Sequence, residues 1–119
     1  MTTTTNTPVD AETYIMLQEI MADEFAELVE FFITDTDQCI ITLKQSVEIH
    51  DSAQVGAICH KLKSSSKLIG AFELAELAHL LEDYRENNDQ QAAAVYLEKL
   101  QAEHSKVLEW LKQQPVIAY

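Results

Sequence analysis

The sequence predicts an all-α fold: an antiparallel, up-down-up-down four-helix bundle with a short additional N-terminal helix. Three observations lead there. Only two glycines and two prolines occur in 119 residues, too few for the many turns of an all-β chain. Apolar residues, 47% of the chain, recur at three- and four-residue spacing, the period of a helix that buries one face. The breaks between periodic segments are only a few residues long, and short links make consecutive helices antiparallel neighbours.

The elements follow in order. Residues 1–9, "MTTTTNTPV", are Thr-rich and polar and read as a flexible tail. Residues 10–22 read as a short helix with Asp10 as N-cap, lying as a lid on one end of the bundle. A longer helix starts at Asp23 and reaches about residue 49; its apolar face is Phe25, Leu28, Val29, Phe32, Cys39, Ile40, Leu43 and Val47. The third helix is expected over 52–69. Asp51 caps it, Gln54 closes a capping box, and Gly70 stops it because glycine takes the left-handed conformation without strain. A fourth helix carries Leu74, Leu77, Ala78, Leu81 and Tyr84 on one face and ends near "ENND". Asn88 is expected to cap a fifth, with the stripe Leu97, Leu100, His104, Val107, Leu108 and Leu111, and Pro115 limits its continuation. The folded domain is therefore drawn over 10–113, with 114–119 as a C-terminal tail. Tyr14, Tyr84, Tyr96 and Trp110 read as packing residues.

The charge excludes several functions. Acidic residues outnumber basic ones 20 to 8, a net charge of −12, which opposes binding to nucleic acid or an anionic membrane. The apolar runs are too short to span a bilayer. The N-terminus has neither the basic nor the hydrophobic region of a secretory leader, so a cytoplasmic protein is expected. Cys39 and Cys59 are too few for a disulfide framework and read as small buried apolar groups.

Against this background "CHKLKSSSKLIGA", residues 59–71, stands apart. It holds one histidine and three lysines, and no Asp or Glu occurs from 52 to 72. At ~100° per residue, Lys63, Ser64 and Lys67 fall within about 60° of His60 on the helix. Val55, Ile58, Leu62, Ser65 and Ile69 take the opposite side, which must enter the bundle. His60 therefore points to water between two ammonium groups. Positive neighbours disfavour the imidazolium, and a neutral ring offers a nitrogen lone pair as a nucleophile. A phosphoryl group suits such a nucleophile, because its negative charge and acceptor oxygens match the lysines. With only two glycines there is no phosphate-cradling loop, and no carboxylate on this helix completes a triad. The chain reads as something that accepts phosphate without activating it: a carrier rather than a self-sufficient enzyme.

The other histidines read differently. His104 lies on an apolar stripe as a core residue with a satisfied ring, His50 sits at a helix end, and His79 falls on a polar face. None has the close spacing of a metal site, so no metal and no resident cofactor are expected.

The run Cys59-His60-Lys61-Leu62-Lys63-Ser64-Ser65-Ser66-Lys67-Leu68-Ile69-Gly70-Ala71-Phe72-Glu73-Leu74 resembles the signature of the histidine-containing phosphotransfer (HPt) domains of multistep two-component phosphorelays. The likeness extends more weakly over about residues 10–112. It implies a four-helix bundle with His60 as the exposed phosphoacceptor and Lys63 steadying the phosphoryl oxygens. It implies exchange with receiver-domain aspartates of a hybrid sensor kinase and a response regulator, the receiver supplying Mg²⁺ and the catalytic acids, and a monomeric carrier. Two positions depart from the pattern: Ser64 stands where glycine is usual, and Cys59 where alanine is usual. Lys67 adds a positive charge. Lys61, Ser64, Lys67 and Glu82 are candidate binding residues. Antiparallel neighbours place residues near 38–41 and 79–83 at the level of His60. Glu82 either accepts the ring N–H or is a solvated helix residue. Phe31, Ile33 and Ile41 either form an apolar docking patch or pack in a broad core. The alternative function is a helical adaptor that binds receivers, or another regulator, without carrying phosphate.

Overall fold

The computed structural model describes residues 7–115. Of the expected tails, 1–9 and 114–119, residues 1–6 and 116–119 lie outside them. Among the described residues six α-helices build the fold: α1 (Ala11–Met21), α2 (Phe25–Glu48), α3 (Ser52–Ile69), α4 (Phe72–Glu82), α5 (Tyr84–Asn87) and α6 (Gln90–Lys112). Helix α3 packs between α2 and α4, and α6 closes the ring between α4 and α2. This is the antiparallel four-helix bundle, with α5 prolonging α4 and α1 laid against α2 and α3.

Local chemistry sets each boundary. Asp10 caps α1, its carboxylate accepting from the Thr13 backbone N–H at 3.1 Å and the Thr13 hydroxyl at 2.6 Å. Val9, inside the expected tail, is fully buried in the core; its apolar side chain is taken in where α1 docks. A 3₁₀ turn, Ala22–Glu24, precedes α2, which therefore starts two residues after Asp23. Asp51 caps α3 through the Gln54 N–H at 3.1 Å. The capping box does not close. The Gln54 side chain instead accepts from the Ser46 hydroxyl at 2.7 Å, while the Asp51 N–H reaches the Ser46 carbonyl at 2.8 Å. An interhelical partner thus replaces the local one.

Helix α3 ends on Gly70 in the left-handed conformation, φ 93°. The Ala71 N–H bonds the Ser66 carbonyl and the Gly70 N–H the Lys67 carbonyl, which satisfies the last carbonyls of the helix. The Gly70 carbonyl accepts from Asp10 N–H at 2.8 Å, and a Cβ at Gly70 would lie 3.1 Å from both the Asp10 carbonyl and Thr13 Cβ. Glycine is required here twice, for its backbone angle and for the approach of α1. Asn88 does not cap α6. It adopts the left-handed conformation, φ 50°, which asparagine tolerates better than most residues, and ends α5. Asp89 caps α6 through the Ala92 N–H at 3.1 Å.

The core runs through all the long helices, with Leu43, Leu62, Ile69, Leu74, Leu81 and Leu100 almost fully buried. Each such side chain contributes roughly 1.5–3 kcal/mol on burial. Tyr14 meets Phe25 and Trp110 edge to face, both at 4.9 Å between ring centroids, and so fastens α1 to α2 and α6. Among the described residues no helix is long and apolar enough to cross a membrane.

Candidate functional site around His60

Helix α3 buries Val55, Gly56, Cys59, Leu62, Ser66 and Ile69. The inward hydroxyl is thus chiefly that of Ser66, with Ser65 half-buried and bonded to the Leu62 carbonyl. This burial pattern turns His60 outward, its side chain 67% exposed. Beneath it Cys59 is fully buried, and burial, aided by the nearby Glu82 charge, pushes its thiol up to about 12. Cys59 therefore stays an unreactive packing group, as does the buried Cys39, whose thiol is also raised by burial.

Glu82, at the last residue of α4, is the organising group. Its side chain is only 12% exposed and faces α3. One oxygen, Oε1, accepts from Lys63 Nζ at 2.9 Å. The other, Oε2, lies 3.3 Å from His60 Nδ1 and accepts from Arg85 at 3.2 Å. Partial burial opposes ionisation of Glu82. The hydrogen bond and charge of Lys63, followed by those of His60, outweigh it and hold the carboxyl below the usual glutamate value. An ionised carboxylate is an acceptor only, so the Nδ1 facing it carries the ring proton. Nε2 is left as the nitrogen with the free lone pair.

The remaining candidates surround this centre. Ser64 is exposed and turns its hydroxyl back to the His60 carbonyl at 3.3 Å. Lys67 is exposed and lines an open cleft of about 380 Å³ with Lys63, Phe72, Ala75, Glu76 and His79. Lys61 points the other way, to Asp35 of α2 at 2.9 Å. Phe31 and Ile41 are exposed, whereas Ile33 is partly buried against the core. Phe31 borders an apolar groove of about 140 Å³ with Leu28, Phe32, Asp35, Ser65, Leu68 and Ile69.

No acid on α3 itself competes for its lysines, but Glu82 and Asp35 reach in from α4 and α2 to hold Lys63 and Lys61. On α2 the 38–41 stretch lies at the histidine's level, where Cys39 is close enough to Cys59 and Lys61 to influence their charge, and the long Lys61 side chain reaches one turn along α2 to Asp35. The 79–83 stretch of α4 does lie at the level of His60. There His79, read as solvated, places Nδ1 3.5 Å from Lys63 Nζ.

Arg85 escaped sequence reasoning altogether. Its side chain crosses α3 directly over Gly56, where an added Cβ would lie 2.7 Å from Arg85 Cδ. The one available signal was its i,i+3 spacing from Glu82. Of the chain's 8 basic residues, Lys63 and Arg85 thus meet on the carboxylate beside the histidine.

Comparison with known proteins agrees with this arrangement. The Hpt domain family model matches residues 27–110. The crystal structure of histidine-containing phosphotransfer protein B (HptB) from Pseudomonas aeruginosa PAO1 superposes with a TM-score of 0.86. It is 26% identical, over 92% of this chain and 95% of that one. The histidine-containing phosphotransfer protein ZmHP2 from maize has the same fold, with a TM-score of 0.75 and 24% identity over 89% of this chain and 84% of that one. No curated protein sequence matches the chain. An exposed histidine on the third helix of an antiparallel bundle, with the family model spanning most of the chain, leads to one conclusion: the protein belongs to the Hpt domain family, the phosphotransfer proteins of phosphorelays.

Proposed function

We propose that this protein is a cytoplasmic, monomeric phosphocarrier that accepts a phosphoryl group on Nε2 of His60 and returns it to a receiver-domain aspartate. The observation that carries the reading is the Glu82 contact with His60 Nδ1 at 3.3 Å. It leaves Nε2 directed to solvent on the same face as Lys63 and Lys67. In the forward step the Nε2 lone pair forms the N–P bond as the bond from phosphorus to the aspartyl oxygen breaks, and the carboxylate leaves with that electron pair. The phosphoryl oxygens meet Lys63 and Lys67, whose charge stabilises them as they arrive. The Mg²⁺ and acidic residues that this transfer needs belong to the receiver.

Partners fitting this site are the receivers of a hybrid sensor kinase and of a response regulator. The apolar groove beside Phe31 and Leu68 offers them a docking surface, and the Lys61–Asp35 pair marks its edge nearest the histidine. Ser64 folds its hydroxyl onto its own helix, so it leaves room for a receiver almost as glycine would.

The test is incubation with a phosphorylated receiver and Mg²⁺, followed by detection of an acid-labile, alkali-stable phosphate. The wild type takes up label and His60→Gln takes up none. Equal labelling of both would remove His60 as acceptor. Receiver binding with no labelling of the wild type would instead make the protein a helical adaptor.

A further inference from the structure

His79 and Glu82 stand three residues apart on α4, so one face of that helix turns both side chains toward α3. The ammonium of Lys63 lies between them. Its Nζ is 2.9 Å from Glu82 Oε1 and 3.5 Å from His79 Nδ1. The Lys63 side chain is only 19% exposed, although a lysine on the outer face of a helix ordinarily keeps its charged head in water. Lys63 is therefore held against α4 at two points.

The contact with Lys63 also fixes the tautomer of His79. An ammonium can only donate, so the nitrogen that faces it presents a lone pair, and the ring proton belongs on Nε2. His60 is arranged the other way, with the proton on Nδ1 and the lone pair on Nε2. His79 is exposed and stands beside the same lysine, yet its lone pair is turned to Lys63 rather than to an incoming phosphorus.

A lysine head is a point charge on a flexible four-carbon stem. Charge that stabilises a transferring phosphoryl group is worth most when it is already in place. Glu82 alone fixes the ammonium at one point and leaves it free to turn. A second acceptor removes that freedom. Of the three N–H bonds of the ammonium, one then goes to Glu82 and one to His79, which leaves the third for an oxygen of a phosphoryl group arriving at His60.

Building on the assignment of His60 as phosphoacceptor, we propose that His79 is a positioning residue for phosphoryl transfer: as the second acceptor for Lys63, it aims the lysine at the phosphoryl group on His60. His79 meets neither the reacting nitrogen nor phosphorus in this arrangement, so its effect passes through Lys63.

The experiment measures loading of His60 from two donors: phosphoramidate, which leaves as ammonia, and a phosphorylated receiver with Mg²⁺. It compares the wild type with His79→Ala, His79→Asn, Lys63→Ala and the combination of Lys63→Ala with His79→Ala, each checked for folding by circular dichroism. His79→Ala should slow loading about fivefold with both donors, the scale of one ordinary hydrogen bond, and leave receiver affinity unchanged. His79→Asn should recover most of the rate, because its amide oxygen can accept from Lys63 in place of Nδ1. In the Lys63→Ala background, loss of His79 should cost nothing further, since effects of residues that act through one another are not additive. Spectra of ¹⁵N-histidine-labelled protein at about pH 9, above the range in which histidine ordinarily titrates, should place the His79 proton on Nε2. An unchanged rate in His79→Ala, a loss confined to the receiver, an equal loss in the Lys63→Ala background, no recovery in His79→Asn, or a proton on Nδ1 would each overturn the proposal. Loading by phosphoramidate without exchange with any receiver would instead overturn the carrier reading, and the phosphoramidate rates would still decide the role of His79.

Discussion

His60 and His104 are the same side chain in opposite surroundings. His60 stands on the outer face of α3, 67% exposed, with cations around it and a carboxylate beneath. His104 lies on the inner face of α6, 7% exposed, with Nε2 2.9 Å from the Thr36 hydroxyl. That hydroxyl donates onward to the Phe32 carbonyl at 2.8 Å, so it accepts from the His104 N–H. One ring presents a lone pair to solvent, and the other spends its polar atom tying α6 to α2. Neither role follows from residue type. Both follow from which helix face carries the ring and what the neighbouring helix brings to it.

Breaking the surroundings of His60 and the ring of His104 should therefore give opposite phenotypes. The largest effect on function belongs to the site: Lys63→Ala should slow phosphoryl transfer by about 100-fold, the scale of losing one preorganised charge-stabilising donor, with the melting temperature hardly changed. Stopped transfer assays with a cognate receiver measure this, and an unchanged rate would mean that Lys63 serves only to hold Glu82. His104→Ala should do the reverse. It should lower the unfolding free energy by about 3 kcal/mol, the scale of emptying a buried ring site, while His60 still takes up phosphate, as denaturant titration and labelling together would show.

The pH dependence sharpens the contrast. Burial lowers the pKa of His104 below the ordinary histidine value, with Asp37, 3.8 Å away, opposing the shift. The unfolded chain therefore binds the proton more readily than the folded one. The contribution of His104 to stability is complete above the unfolded value of about 6.5 and is lost as pH falls from there toward the lower folded value. Denaturation midpoints measured between about pH 8 and about pH 5 should fall in the wild type and fall less in His104→Gln.

The smallest effect concerns Ser66, whose buried hydroxyl has no hydrogen-bond partner among the described residues. Ser66→Ala removes an unsatisfied polar group and should raise stability by up to about 1 kcal/mol. A destabilisation measured by the same denaturant titration would show that the hydroxyl is bonded in solution.

What was legible in the sequence was what a single helix decides. Asp51 and Gly70 bound α3 through local capping, and the 3.6-residue period put His60, Lys63, Ser64 and Lys67 outward together. The stripe of α6 placed His104 inside with its ring satisfied. Relations between helices were harder to read. Counting from the ends of α3 brought Glu82 to the right level, but it could not choose between a contact with the ring and a solvated carboxylate. It missed Asp35, because the long Lys61 side chain reaches a turn along α2 to find it. The Arg85 crossing over Gly56 needs the close approach that only a missing Cβ allows, and in the sequence that glycine is an unremarked residue of a helix. Val9 and Asn88 were misread for a related reason. A buried apolar residue in a polar tail, and an asparagine one residue before the true cap, are resolved by packing and by backbone angle.

The central claim is that Glu82 holds the Nδ1 proton of His60 and thereby directs phosphate to Nε2. Long-range ¹H–¹⁵N correlation spectra of ¹⁵N-histidine-labelled protein, recorded before and after phosphorylation, read this directly. The account predicts one phosphorylated ring, that of His60, with phosphorus on Nε2 and the proton on Nδ1. Phosphate on Nδ1 of His60, or on His50, His79 or His104, would contradict it.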